Sequence, residues 1–389
     1  MSSLPVGEQL RIIKQGAEEI IPEDELIKKL ERAVREGRPL RVKQGFDPTA
    51  PDIHLGHTIG LRKLKHFQSL GHQVVLIVGD YTGMVGDPSG RSEVRPQLSH
   101  DVVIKNAKTY EEQFFKIVDK EKTEVRFNGE WFGKMSFTEV MKLASLVTVA
   151  RLLERDDFSI RFSNNMPIGL HELYYPVMQA YDSVAVRADV EIGATEQKFN
   201  LLMGRHFQQI HGQEPQVALT LPVLTGTDGV QRMSKSTGNY VGVTDPPVEM
   251  FGKLMSIPDS LVLSYYELLT DISPPELEKK SLALKSPNVN PRDVKSDLAE
   301  RIVTTYHGPE PARRAREEFD KVFRDGGVPD DAPVVEIGSP QGKLWIITLL
   351  KETGLAPTSS EGRRLVRQGA VEIDGARVAD EEAEIPLVK

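Results

Sequence analysis

Between residues 40 and 80, two short apolar runs, LRVKQGF and HQVVLIVGD, flank an amphipathic stretch, GHTIGLRKLKHFQSLG, that stops at Gly71. Runs of that length and composition read as strands, and the intervening apolar positions recur at helical spacing. Strand, helix and strand in this order make a βαβ unit. The second strand is nearly continuous in apolar residues, so its sheet is parallel and covered on both faces. The fold class is therefore α/β.

The rest of the chain extends this pattern. Residues 8–36 (EQLRIIKQGAEEI and EDELIKKLERAVREG, separated by Pro22) read as a helical preface. Residues 98–186 read as a long helical section broken by an irregular stretch near 119–136. ADVEIG is a strand, ATEQKFNLLMGRHFQQI a helix and QVALTLPVLT a further strand. After residue 245 the character changes, and 246–324 is largely helical. The Gly/Pro/Asp-rich segment 326–342 reads as a linker. The tail, 343–389, predicts two short helices and a hairpin at Asp374-Gly375. The chain stops soon after that hairpin, so the tail is expected to lack a final strand.

A length of 389 residues suits two or three domains. Without an apolar run of roughly 18 residues, no membrane span is expected. The first residues, MSSLPVGEQLRIIKQG, lack the apolar centre of a secretory leader, so a cytoplasmic location is expected. The absence of cysteine excludes disulfides, thiol nucleophiles and thiolate zinc sites. A net charge of -8 argues against a nucleic-acid coat over the whole surface but leaves room for a local basic patch.

Two stretches carry chemistry. In QGFDPTAPDIHLGHTIG (44–60) a Gly/Pro loop runs from the first strand into the helix, with His54 and His57 three residues apart at its start. Helix N-termini leave backbone N–H groups unpaired and favour anions. Two histidines on that first turn can donate to the same anion. Alone, the pattern is equally that of a polar helix start. A metal would need a third ligand, and none is nearby. The second stretch is Arg232-Met233-Ser234-Lys235-Ser236, flanked by Gly226, Gly229 and Gly238. A flexible loop ending in an ammonium can close on a polyphosphate and offset charge on its leaving group. Standing alone, it would read first as an ordinary charged surface loop.

Together they are specific. The first resembles the HIGH signature of class I aminoacyl-tRNA synthetases, and the second their KMSKS loop. GFDPTAPDIHLGH, GDPSGRSEVR, the helix carrying Tyr175, Gln179 and Asp182, the GATEQ turn and SSEGRRLVRQGAVEIDGARV narrow the resemblance to bacterial tyrosyl-tRNA synthetases. It covers essentially the whole chain.

The resemblance implies a Rossmann-type catalytic domain over 1–245, with an inserted helical dimerisation segment at roughly 119–170. An α-helical anticodon-side domain (246–325), a linker (326–342) and a small α+β S4-like RNA-binding tail (343–389) would follow. It implies a homodimer that joins L-tyrosine and ATP into tyrosyl-adenylate and pyrophosphate, then passes tyrosine to tRNA(Tyr). Magnesium is expected with ATP, and no structural metal is expected. Thr49 and His54 would meet the leaving phosphates, His57 and Asp47 would hold the nucleotide, and Arg91 and Arg95 would swing in with Lys235. Gly45, Gly56, Glu196, Val223, Leu224 and Met233 complete the expected ATP site. Asp87, Tyr175 and Gln179 would bind the ammonium of tyrosine, Asp182 its phenol, and Gln197 belongs to the same site. Arg363, Arg364 and Arg367 would bind RNA, although the tail carries seven Lys/Arg against eight Asp/Glu.

Three positions depart from the family pattern: Lys43 replaces a common tyrosine, Glu196 an aspartate, and Arg232 the first lysine of the loop. A small-molecule nucleotidyltransferase also uses an HxGH helix start but predicts neither a helical domain nor an RNA module. A non-catalytic RNA-binding relative predicts erosion of the phosphate motifs, whereas Thr49, His54, His57 and Lys235 are intact.

Overall fold

The computed structural model describes residues 4–89, 98–323, 335–338 and 342–387. It divides into two compact units, Met1–Arg316 and Glu317–Lys389. The first is built on a six-stranded sheet of order β1-β6-β5-β2-β3-β4. Its strands are β1 (Glu19–Ile21), β2 (Arg41–Phe46), β3 (Gln73–Val78), β4 (Thr123–Phe127), β5 (Val190–Ala194) and β6 (Val217–Leu221). Strands β2 to β6 run parallel, and β1 is antiparallel to β6.

The βαβ expectation holds. Strands β2 and β3 pair in register from Arg41–Gln73 to Phe46–Val78, joined by the Leu55–Ser69 helix. In β3, Val74 to Val78 are all buried, which is why that run shows no polar alternation.

Two strands depart from the sequence expectation. The preface helix ends at Lys14, and Glu19–Ile21 forms β1 against Ala218–Thr220. The irregular stretch at 119–136 contains β4, paired with β3 from Val74–Thr123 to Val78–Phe127. Both are short edge strands with half-buried side chains. Their pairing depends on a distant partner rather than on local periodicity. The expected helical section is a series of separate helices, among them His100–Phe114, Phe137–Ala144, Asp156–Ser163 and Tyr174–Val186.

Strand order reverses between β2 and β5. Chain progression runs from β2 to β3 and β4 on one side, and returns to β5 and β6 on the other. The β2–β5 register covers Val42 with Val190 and Lys43 with Glu191. Beyond it, the carboxyl ends of the two strands line a cleft. Open α/β sheets bind ligands at such switch points.

The second unit has its own small core of Ile346, Ile347, Leu350, Ala356, Val366 and Val371. Helices Ile346–Glu352 and Ser359–Arg367 pack together, and a hairpin of β8 (Glu372–Ile373) and β9 (Ala376–Arg377) follows β7 (Lys343–Trp345). Asp374 and Gly375 both take positive φ (50° and 77°), as a two-residue turn demands. Contrary to expectation, a closing strand is present: β10 (Glu384–Pro386) pairs antiparallel with β7.

Candidate active site

Two adjoining chambers open at the switch point, of about 290 Å³ and about 540 Å³. Thr49, Gly56 and His57 line both. Gly45, Asp47, Asp87, Tyr175, Gln179, Asp182 and Gln197 line the inner one. His54, Glu196, Val223, Leu224, Met233 and Lys235 line the outer one. The residues expected around tyrosine and those expected around ATP are thus brought together from segments far apart in the chain. Arg91 and Arg95 lie outside the described residues.

The helix start at 54–57 is a reciprocal cap. His54 Nδ1 accepts the Gly56 N–H (3.2 Å), and His57 Nδ1 accepts the His54 N–H (3.2 Å). The rings lie 3.9 Å apart between centroids. An imidazole nitrogen that accepts carries no proton, so in both neutral rings the proton sits on Nε2. Burial pushes the His54 pKa down to about 2 and that of His57 to about 4, with the Lys235 charge acting in the same direction. Both rings are therefore neutral single donors at working pH.

His66 and His72 are likewise held neutral by burial, each lowered to about 4. A depressed pKa gives stability that is present above the unfolded value of 6.5 and lost as pH falls towards 4. The melting temperature should accordingly drop between pH 6.5 and 4. A His72→Asn variant should lose about 3 kcal/mol of that pH dependence. Parallel wild-type and variant melting curves across this range would refute the assignment.

In the inner chamber, Asp182 is the last member of the helical row and is buried. Trp131 Nε1 donates to its Oδ1 (2.9 Å) and Asn128 Nδ2 to its Oδ2 (3.4 Å). Burial outweighs these donors and Lys43, raising its pKa to about 7. The Tyr175 hydroxyl donates to Asp47 Oδ2 (2.8 Å), and Thr82 Oγ1 donates to Asp47 Oδ1 (2.7 Å). This spends the phenol proton on Asp47 and leaves the phenol oxygen as an acceptor. Gly79 is required beside this contact, because a Cβ there would lie 2.0 Å from Asp47 Oδ1.

Asp87 accepts from Gln197 Nε2 (2.7 Å), Ser89 Oγ (2.6 Å) and Arg155 Nη2 (3.1 Å). Burial opposes its ionisation, but Arg155 and Ser89 outweigh that effect and hold the carboxyl below its ordinary range. Asn200 Nδ2 donates to Oε1 of both Gln179 and Gln197, each at 2.8 Å, which fixes the orientation of both amides.

The Arg232–Lys235 stretch is shaped from within. Asn239 Oδ1 accepts the Ser234 N–H (2.8 Å), while its Nδ2 donates to Asp228 Oδ2 (2.8 Å) and the Arg232 carbonyl (3.1 Å). Gly226 packs against this amide too closely for any side chain. Arg232 Nη1 reaches both oxygens of Glu196 (2.9 Å each), so two departures from the family pattern meet each other. Lys235 Nζ lies 3.8 Å from Asp52 Oδ2, beyond hydrogen-bond range.

Sequence reasoning missed Trp131, Asn128, Arg155, Asn200 and Glu191. The first four gave no local signal, since each acts through a tertiary contact. Glu191 and Lys43 did give one: a charge in the middle of an apolar strand needs a buried counter-charge. In the tail, Arg363, Arg364 and Arg367 project from one helix, where Glu361, Glu381 and Glu382 pair with them. Among the described residues no cluster of three or more His, Asp or Glu could hold a metal ion, and no helix is long and apolar enough to cross a membrane.

The chain matches the family described as tRNA synthetases class I (W and Y) over residues 35–324, and the S4 domain over 344–385. It is 55% identical to the tyrosine–tRNA ligase of Moorella thermoacetica over 98% of this chain and 92% of that relative. The tyrosine–tRNA ligase of Carboxydothermus hydrogenoformans is 52% identical over 97% and 93%. Among solved structures, tyrosyl-tRNA synthetase complexed with L-tyrosine from Archaeoglobus fulgidus superposes with a TM-score of 0.65. It has 22% identity over 80% of this chain and 100% of that one, a likeness of fold. The chain belongs to the class I tRNA synthetases of the W and Y type.

Proposed function

We propose that the protein activates L-tyrosine with ATP, releasing pyrophosphate, and then transfers the tyrosyl group to the 3′ end of tRNA(Tyr). The observation that carries this reading is the buried Asp182 carboxyl lining the inner chamber, with Tyr175 and Gln179 on the same helix. Trp131 and Asn128 each donate to one oxygen of this carboxyl, and the lone pairs that remain on those oxygens can accept a substrate phenol O–H.

The ammonium of tyrosine is received by Asp87, the Tyr175 oxygen and Gln179, all lining the inner chamber. Its carboxylate then faces the outer chamber. No general base is needed, because that carboxylate is ionised at neutral pH. The first step forms a bond from a carboxylate oxygen to the α-phosphorus of ATP and breaks the bond to pyrophosphate. The protein supplies orientation and charge stabilisation. Nε2–H of His54 and His57 together with Thr49 face the phosphates, at a helix start whose own first amides are already bonded to the Val241 carbonyl, His54 Nδ1 and the His54 carbonyl, and Lys235 offsets the charge on departing pyrophosphate. Asp47 acts from behind by holding the Tyr175 hydroxyl. Magnesium, which would offset phosphate charge, would be held chiefly by the phosphate oxygens of ATP. Asp52 and Glu196 line the outer chamber, and Glu196 is already paired with Arg232.

The same reading assigns residues 1–245 to catalysis, 246–325 to a helical anticodon-side domain and 343–389 to RNA binding, with Arg363, Arg364 and Arg367 exchanging their acidic partners for phosphates. It places the protein in the cytoplasm as a homodimer. Phe137, Met141, Val149, Ile160, Phe162 and Leu170 are each half or more exposed within 119–170, and a partner surface would cover them.

The test is tyrosine-dependent ATP–pyrophosphate exchange, followed by charging of bacterial tRNA. Exchange should require tyrosine and be followed by charging. Faster exchange with tryptophan, or none with tyrosine, would overturn the reading.

A further inference from the structure

Lys43 and Glu191 meet across the β2–β5 register, beneath the inner chamber, with side chains 0% and 1% exposed. Lys43 Nζ donates to Glu191 Oε1 (2.8 Å), Ser183 Oγ (2.9 Å) and the Gln179 carbonyl (3.0 Å). Glu191 also accepts from Gln179 Nε2 (3.1 Å), Ser183 Oγ (2.9 Å) and Gln216 Nε2. Gln179 and Ser183 bracket Asp182 within one turn of the Tyr174–Val186 helix. Asp182 and Gln179 line the chamber, whereas Lys43 and Glu191 are not among the described residues that do.

A buried ion pair is expensive to desolvate, and well-packed apolar side chains would hold two strands together at least as well. Stability therefore gives no reason for charge at this position. Proximity to Asp182 does. The groups around that carboxyl are Lys43 from β2, Glu191 from β5, and Trp131 and Asn128 from the segment after β4. Lys43 favours the carboxylate form and Glu191 disfavours it.

We propose that the Lys43–Glu191 pair determines amino-acid specificity from outside the chamber, by positioning the Gln179–Ser183 turn and setting the charge of the carboxyl that reads the substrate phenol. Lys43 is thus a positioning residue in place of a direct contact. This inference rests on the tyrosine reading above.

The two charges make opposite predictions. In pyrophosphate exchange, kcat/KM for tyrosine should rise with pH as Asp182 ionises. Glu191→Gln leaves Lys43 uncompensated and should move that limb down by about a unit. The double variant K43M/E191Q removes both charges and should move it up by about a unit or more. It should also cut the preference for tyrosine over phenylalanine about tenfold at pH 7, with KM for ATP unmoved. A purely structural pair would lower both substrates in parallel at every pH, and that result, or unmoved limbs, would overturn the proposal. If the double variant does not fold, E191Q decides alone: an unmoved or raised limb overturns it. Wild-type exchange separates the two levels. Its failure with tyrosine removes the reading itself, while its success beside unmoved variant limbs removes only this inference.

Discussion

Replacing Lys235 with alanine is expected to slow adenylate formation about 10²–10³-fold, roughly 3–4 kcal/mol of transition-state stabilisation, the scale on which preorganised groups act at developing charge. The structure gives the reason for so large a value. Lys235 lines the outer chamber beside His54, and both imidazoles are held neutral, so they donate hydrogen bonds without contributing charge. The ammonium is thus the mobile positive charge that the described outer wall offers to pyrophosphate, because Arg232 is engaged by Glu196. The loss should fall on kcat rather than on KM for tyrosine, since Lys235 lines the outer chamber and does not line the inner one. Single-turnover measurement of adenylate formation reads the effect directly. An unchanged rate would remove Lys235 from the chemistry.

What could be read from the sequence follows the range over which each feature is encoded. The βαβ unit, the His54–His57 helix start and the Tyr175–Gln179–Asp182 row are local, because strand and helix periodicities fix which side chains share a face. All three appear as expected. β1 and β4 were missed because three and five half-buried residues become strands only when β6 and β3 are already beside them. The partners of Asp182 were missed for the same reason. Trp131 lies 51 residues away in sequence, in a stretch that reads as irregular, yet its indole N–H caps the carboxyl that would read the substrate. Lys43 illustrates a middle case. Its departure from the family pattern was visible, but its role depends on the β2–β5 register, which places Glu191 opposite it. The Glu196–Arg232 contact is similar: two substitutions that look independent in sequence compensate one another in space.

Substitutions at Asp182 should separate function from stability. Asp182→Ala removes the acceptor for the substrate phenol and should cut the preference for tyrosine over phenylalanine by about 10²–10³-fold. Tyrosyl-tRNA synthetases are themselves the standard example of such discrimination, ~10⁵ in favour of tyrosine, arising from polar groups left unpaired by the wrong substrate. Lys43 offers no substitute acceptor, as its ammonium only donates. Asp182→Asn tests the cost of maintaining that group. Its folded pKa is raised from 3.8 to about 7, chiefly by burial. A raised carboxyl pKa leaves stability intact at low pH and removes it progressively as pH climbs from about 4 through 7, because the buried charge must then form in the folded state. The neutral amide escapes that penalty. D182N should therefore be more stable than wild type at pH 8, by up to about 4 kcal/mol, and indistinguishable from it near pH 4. Thermal melts at the two pH values, with competition kinetics on the same preparations, read both halves. Equal pH dependence of stability in D182N and wild type would mean that Asp182 is not the buried acid inferred here, and undiminished preference in Asp182→Ala would place recognition of the phenol on another residue.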